Sequence, residues 1–258
     1  MVHRNTLALW KVLAGVVAAG VSCGACASLL GAARPQGQPS SEAEQLTDRM
    51  LQQLHSAGFE HTGALRFRMG NARPLILWDR ERSFVEVRHD DGLRVLLDLN
   101  SRLAVADRAG IAVKNEELPK LADDAYAVWA NDSFWLVAPF KVRDPGTQRS
   151  VVEDATGSGL LVEYTSGGVT PGDAYLWEFD DAGRPLAWRM WVQVLPIGGL
   201  RVEWRDWVTL PTGAVVAKTR ALGGVSFHFD PLEAAAHLDE LVGTGDPFGP
   251  LEARLRKE

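Results

Sequence analysis

The 258-residue chain carries a net charge of −6 and is 46% hydrophobic. That length admits one large all-β domain or two small ones with a sizeable core, and the acidic balance excludes a general nucleic-acid binder, which needs a basic face to collect phosphates. Both cysteines, Cys23 and Cys26, sit near the N-terminus, so the rest of the chain has no internal disulfide and no thiolate metal site.

The first segment, residues 1–33, reads as an export signal. His3, Arg4 and Lys11 give a basic start, and no residue from Val12 to Ala33 is charged. A bilayer span takes about 20 residues, but half of this run is Ala or Gly, which fits a cleaved signal better than a permanent anchor. Within it, Val21-Ser22-Cys23-Gly24-Ala25-Cys26 resembles the lipobox of bacterial lipoproteins, in which a cysteine becomes the lipidated N-terminus. Cys23 and Cys26 are therefore the candidate lipidation sites, although Gly20 and Cys23 stand where a leucine is expected three residues before them. Ala25-Cys26-Ala27 also suits ordinary cleavage, and an uncleaved anchor is the third reading. All three place the folded part on the periplasmic side of the cell envelope. Residues 34–41 (Arg-Pro-Gln-Gly-Gln-Pro-Ser-Ser) read as a flexible tether, and residues 42–258 as a single folded domain.

Ser41 and Glu44 form a capping box, followed by Leu46, Met50 and Leu54 on one stripe, which predicts an amphipathic helix over 42–55. Strands follow. Leu65, Phe67 and Met69 alternate with arginines, residues 74–78 are a continuous apolar run, and Val85 and Val87 precede a hairpin turn at Asp90-Asp91-Gly92. Leu93, Val95, Leu97 and Leu99 form the next inner face, giving an antiparallel meander with one wet face.

Leu118, Leu121, Ala122, Ala125, Val128 and Trp129 recur at helical spacing. The helix they predict hands over to a buried strand at Phe134-Trp135-Leu136-Val137 and a loop turned by Asp144-Pro145-Gly146. Six strand-like segments follow, over residues 159–164, 173–179, 184–195, 201–210, 214–221 and 225–229, and Asp230-Pro231 opens a short third helix. About ten strands with short connections cannot form a parallel α/β sheet. The expected fold is mainly β (α+β): a strongly curved antiparallel sheet forming an incomplete β-barrel, with helices over its concave face.

At this point the order of elements, together with Trp135-Leu136-Val137-Ala138-Pro139-Phe140-Lys141-Val142-Arg143-Asp144-Pro145-Gly146, resembles the periplasmic lipoprotein-sorting carriers (LolA/LolB-like fold). It is more similar still to a group of uncharacterised secreted bacterial proteins related to them. In that group a Trp-Leu-x-x-Pro-Phe-Lys-Leu-x-Asp-x-Gly segment recurs with a later Thr-Pro-Gly-Asp-x-Tyr, here Thr170 to Tyr175. The resemblance covers roughly residues 42–230 and implies an open half-barrel, lidded by helices, whose apolar cavity accepts acyl chains. It carries no catalytic residue, and fold alone does not fix function.

The residues themselves point the same way. Tyr175, Trp177 and Phe179 share one face of their strand, Trp188, Met190 and Val192 one face of the next, and Val202 and Trp204 one face of the third. They either line a cleft for a hydrophobic ligand or fill the core. Trp135, Phe140, Trp188, Met190 and Trp204 are the candidate ligand-binding residues. Lys141, Arg143 and Asp144 read as a self-paired turn or as a contact for a lipid head group. The six histidines form no metal signature, His89-Asp90-Asp91 precedes a turn glycine, and Ser158 lacks the spacing of a nucleophile elbow.

The expected protein is therefore not an enzyme and has no cofactor, metal or nucleic-acid partner. It binds a hydrophobic ligand or lipid and meets the membrane through its N-terminus. The alternatives are an envelope protein-interaction module with a self-filled core and a hydrolase whose site is assembled from distant residues.

Overall fold

A computed structural model describes residues 31–154, 157–166, 171–193 and 198–258. Residues 1–30 of the export signal, with Cys23 and Cys26, and Thr170 of the second motif lie outside the described residues.

Thirteen strands are present: β1 (Ala64–Met69), β2 (Leu75–Asp79), β3 (Phe84–Arg88), β4 (Leu93–Asp98), β5 (Ala104–Arg108), β6 (Ile111–Ala112), β7 (Thr147–Asp154), β8 (Gly157–Tyr164), β9 (Ala174–Phe179), β10 (Pro185–Trp191), β11 (Gly198–Thr209), β12 (Val215–Leu222) and β13 (Val225–Ala235). They make one antiparallel sheet in the order β6-β5-β4-β3-β2-β1-β13-β12-β11-β10-β9-β8-β7, which is not closed into a barrel. The described helices are α1 (Ser41–Gln53), α2 (Ser56–Glu60), α3 (Leu118–Val137), α4 (Leu238–Val242) and α5 (Gly249–Leu255). The chain is thus mainly β with some helix, as its alternating patterns require. None of these helices is long and apolar enough to cross a membrane.

The chain divides into two compact units. The first takes the described residues up to Ser56, Val137–Trp207 and Ala217–Phe227; the second takes Ala57–Leu136, Val208–Val216 and His228–Glu258.

In the first unit α1 packs on β7 and β8 and buries Ala43, Leu46 and Met50. The cap is Ser40, one residue earlier than expected, its Oγ accepting from the Ala43 N–H at 3.2 Å. Glu44 does not reach back to the cap. It accepts from Arg149 Nε at 2.7 Å and Arg143 Nη2 at 3.0 Å, because two fully charged guanidinium donors offer its carboxylate more than the single backbone N–H of a capping box. Residues 32–39 lie against the same unit. Pro39 bridges Ser150 of the terminal strand β7, Arg34 pairs with Glu163 at 3.3 Å, and Trp191 Nε1 donates to the Ala32 carbonyl at 2.8 Å.

In the second unit β1 to β6 form the expected meander, with Leu93, Val95 and Leu97 buried. Its other face is not wet. Ala64, Leu77, Phe84 and Leu96 are covered by Leu238 of α4 and by Phe248 and Leu251 of and beside α5. These short helices are missing from the sequence reading, which places its last helix at Asp230-Pro231. That dipeptide instead lies inside β13, where the pairing with β1 slips between Phe67↔Leu232 and Met69↔Phe229. A bulge is the place within a sheet that tolerates a proline, since no ladder bond is lost there.

Helix α3 also departs from expectation. It runs through Phe134-Trp135-Leu136-Val137 and gives way to a 3-10 turn at Ala138–Lys141, with no strand between. Pro139 is the first residue able to stop it, by lacking an N–H and by disfavouring helix at the residue before it. A short apolar run buried on all sides looks the same in sequence whether helical or extended. Upstream, α3 sets Trp129 edge-on against Trp78 of β2 at 5.2 Å, and Arg102 lies over Tyr126.

Candidate functional site

The pairing of β8 to β11 brings the aromatic residues of the first unit into one layer. Leu160 faces Trp177, Trp177 faces Trp188, and Trp188 faces Val202; in the next row Val162 faces Tyr175 and Tyr175 faces Met190. Directly opposed residues of an antiparallel pair share a face, and Trp204, two residues beyond Val202, shares it too.

On that face Trp177, Trp188 and Trp204 form a triangle with ring centroids 5.0–5.1 Å apart, each pair tilted or edge-on. Tyr175 joins Trp188 at 4.6 Å, and Tyr164 meets Tyr175 edge-on at 5.8 Å. Such contacts contribute about 0.5–1.5 kcal/mol each beyond area burial. At the other end Asp206 adopts a left-handed φ of 56° and accepts from the Thr219 hydroxyl. This kink returns Trp207 to the layer, where it stacks on Trp204 at 6.3 Å.

Arg220 of β12 lies under the layer, fully buried, with its guanidinium 3.4 Å from the Trp204 ring centroid. It donates to the carbonyls of Ala217 and Thr219 at 3.0 and 3.1 Å. Burial pulls its pKa well below the ordinary arginine value. Asp173 borders the layer, accepting from the Gln193 N–H at 2.8 Å and the Tyr175 hydroxyl at 3.4 Å. Burial, and then Asp173, push the Tyr175 phenol far up, and burial does the same to Tyr164. Both phenols stay neutral and are poor proton-transfer groups.

Trp204 is 2% exposed, and its Nε1–H meets no acceptor among the described residues. Most buried donors in folded proteins are paired.

Of the five candidate residues, Trp188, Met190 and Trp204 come together in this layer, and all three are buried by neighbouring side chains. Phe140 sits in the 3-10 turn, half-buried, and Trp135 is buried on α3 in the second unit. Sequence reasoning placed Tyr175 and Trp177 on a common face but did not single them out, and it missed Arg220. Strand alternation gives no signal for Arg220, because β12 is buried on both faces and Lys218 has the same parity. Lys141 and Asp144 pair at 2.5 Å, and Arg143 reaches Glu44 and Asp48, so ion pairs occupy the turn after Phe140. His89 and Gly92 close the expected hairpin turn. Among the described residues no group of three or more His, Cys, Asp or Glu is placed to hold a metal ion.

No family of known proteins and no curated protein matches the chain. Among solved structures it is similar to a DUF1329 family protein from Desulfovibrio piger, at 9% identity and a TM-score of 0.38, over 83% of this chain and 99% of that one. It is also similar to a putative outer membrane lipoprotein-sorting protein domain from Vibrio parahaemolyticus, at 9% identity and a TM-score of 0.30, over 82% of this chain and 100% of that one.

Proposed function

We propose that this chain is an exported, lipid-anchored and non-catalytic protein that binds an acyl chain or lipid against the aromatic layer of its first unit. The observation that carries the reading is the Trp204 Nε1–H, a buried donor without an acceptor among the described residues, inside a wall of aromatic rings. An orphan donor costs about 1–3 kcal/mol, and the ester or carboxyl oxygen of a lipid is an acceptor attached to an apolar body. The resemblance of Trp135 to Gly146 to the lipoprotein-sorting carriers supports the same ligand class, and Cys23 or Cys26 supplies the anchor. Ligand access requires the rings to part, since they pack on one another.

The burial of Trp188, Met190 and Trp204 favours a second reading, an envelope interaction module whose core is filled by its own side chains.

Native mass spectrometry of the mature protein, expressed with its signal and purified gently from the envelope, separates the two. A diacyl or triacyl mass on a cysteine together with a releasable lipid adduct is expected. Trp204→Phe keeps an aromatic ring in the layer and removes the donor, and it should weaken uptake of a phospholipid about tenfold, the equivalent of one buried hydrogen bond. A protein without adduct after incubation with phospholipid vesicles overturns the carrier reading and leaves the interaction module.

A further inference from the structure

The second unit holds a cavity of about 440 Å³ between β5, β6, the start of α3 and helix α5. Val105, Val113, Leu118 and Ala253 give it apolar walls. Its polar groups are gathered at one side: Arg254 and Lys257 on and just after α5, with Asn115 and Glu258. The strand that borders it, β6, is two residues long and leaves Ile111 76% exposed.

The two cations differ in how they are held. Arg254 Nη1 donates to Asn115 Oδ1 at 3.1 Å, which fixes the guanidinium, while Nη2 faces the Glu258 carboxylate at 3.5 Å. That second contact is too long to be a strong bond, and the Glu258 side chain is 56% exposed. Lys257 enters no ion pair among the described residues. An open, mainly apolar cleft with one oriented guanidinium and one available ammonium at its side is complementary to an anion with a hydrocarbon tail. Glu258 marks where the anionic group sits, because a carboxylate already reaches Arg254 there.

From this we infer that the cavity is a second ligand site, distinct from the aromatic layer, which takes a single-chain fatty-acid carboxylate. Its tail lies between Val105, Val113, Leu118 and Ala253, and its carboxylate displaces Glu258 from Arg254 and meets Lys257. The volume falls at the low end of the roughly 300–1,000 Å³ of small-molecule sites, which suits one hydrocarbon chain and not the two of a diacyl phospholipid.

The probe is dodecanoate carrying a diazirine at its tail end, photolysed with the full mature chain and mapped by peptide. Label is expected on peptides spanning residues 105–118 and 250–258. In calorimetry, Lys257→Gln combined with Arg254→Gln should weaken dodecanoate at least tenfold and leave dodecanol unchanged, whereas Glu258→Gln should tighten dodecanoate. Lys257→Glu alone touches only an exposed side chain, so its weakening of dodecanoate reads the site without disturbing α5. Label confined to peptides of β8 to β11 overturns this site while leaving the aromatic layer as the binding wall. Equal affinity of the wild-type and charge-altered chains also overturns it, as does the absence of saturable binding.

Discussion

Arg73 donates from Nε and Nη2 to the two carboxylate oxygens of Asp132 at 2.9 and 2.5 Å, tying the turn before β2 to α3. The Asp132 side chain is fully buried and that of Arg73 is 12% exposed. Burial pushes the Asp132 carboxyl above its ordinary 3.8, while Arg73 and the Asn131 amide pull it back. Removing one member of a buried pair leaves the other charge uncompensated, at about 3–5 kcal/mol. Asp132→Ala should lower the urea midpoint accordingly, and the double variant with Arg73→Ala should recover part of the loss. If the single variant unfolds at the wild-type midpoint, this pair does not hold α3 in place.

Two carboxylates of the second unit respond to acid in opposite directions. Asp246 is held below its ordinary 3.8 by Arg82 and by the Phe248 N–H. A lowered folded pKa contributes stability that is present above 3.8 and lost as the pH falls through the folded value. Asp132, raised in the fold, contributes the reverse: its ionisation opposes folding as the pH rises from 3.8 through its folded value. Asp246→Asn should therefore flatten the loss of stability below pH 4. The effect should be at most about 1 kcal/mol, because the side chain is 37% exposed and solvent screens the pair. Denaturant titrations at several acidic pH values measure the slope.

The aromatic layer makes two tryptophans unequal. Trp188 touches Tyr175, Trp177 and Trp204 within 5.1 Å, so Trp188→Ala should cost about 3–5 kcal/mol through the void it leaves. Trp204→Phe relieves an indole N–H that has no acceptor among the described residues but leaves a small void, and because the two effects offset it should change the unliganded stability by less than about 1 kcal/mol. A calorimetric Tm for each variant without lipid tests the difference. A large loss for Trp204→Phe would mean that its donor is already satisfied.

Gly58 sits in α2, where helix propensity alone would reward alanine by about 1 kcal/mol. Its added Cβ would fall 2.6 Å from the Gly213 carbonyl carbon and 2.9 Å from the Thr212 oxygen, both backbone atoms. Backbone cannot swing aside as a side chain can, so Gly58→Ala should destabilise by about 1–3 kcal/mol, the scale of an overpacked site. A raised Tm would show that α2 and residues 212–214 move apart readily enough to admit a methyl group.

The comparison of pattern with structure turns on how local each feature is. Leu93, Val95 and Leu97 were legible as an inner face because strand alternation has period two whatever lies nearby. Leu96, on the opposite face, belongs to the side expected to be wet, and Leu238, Phe248 and Leu251, more than 140 residues away, cover it. Trp188 and Trp204 were legible as sharing faces of adjacent strands. That their rings pack on Trp177, on each other and over a buried arginine follows from strand pairing, which no local pattern encodes.

By itself, then, the sequence determined what short range physics governs: a mainly antiparallel β chain, its turns at Asp90-Asp91-Gly92 and elsewhere, an amphipathic helix carrying Leu46 and Met50, and the aromatic faces. Tertiary structure alone decided the rest. It carried α3 through Phe134 to Val137 until Pro139 stopped it, set Asp230-Pro231 in a bulge of β13, turned Glu44 from its cap to two arginines, and assembled the cavity beside Arg254 and Lys257. Each of these outcomes depends on which distant groups meet, and the free energy of a meeting is fixed by burial and charge in the folded chain.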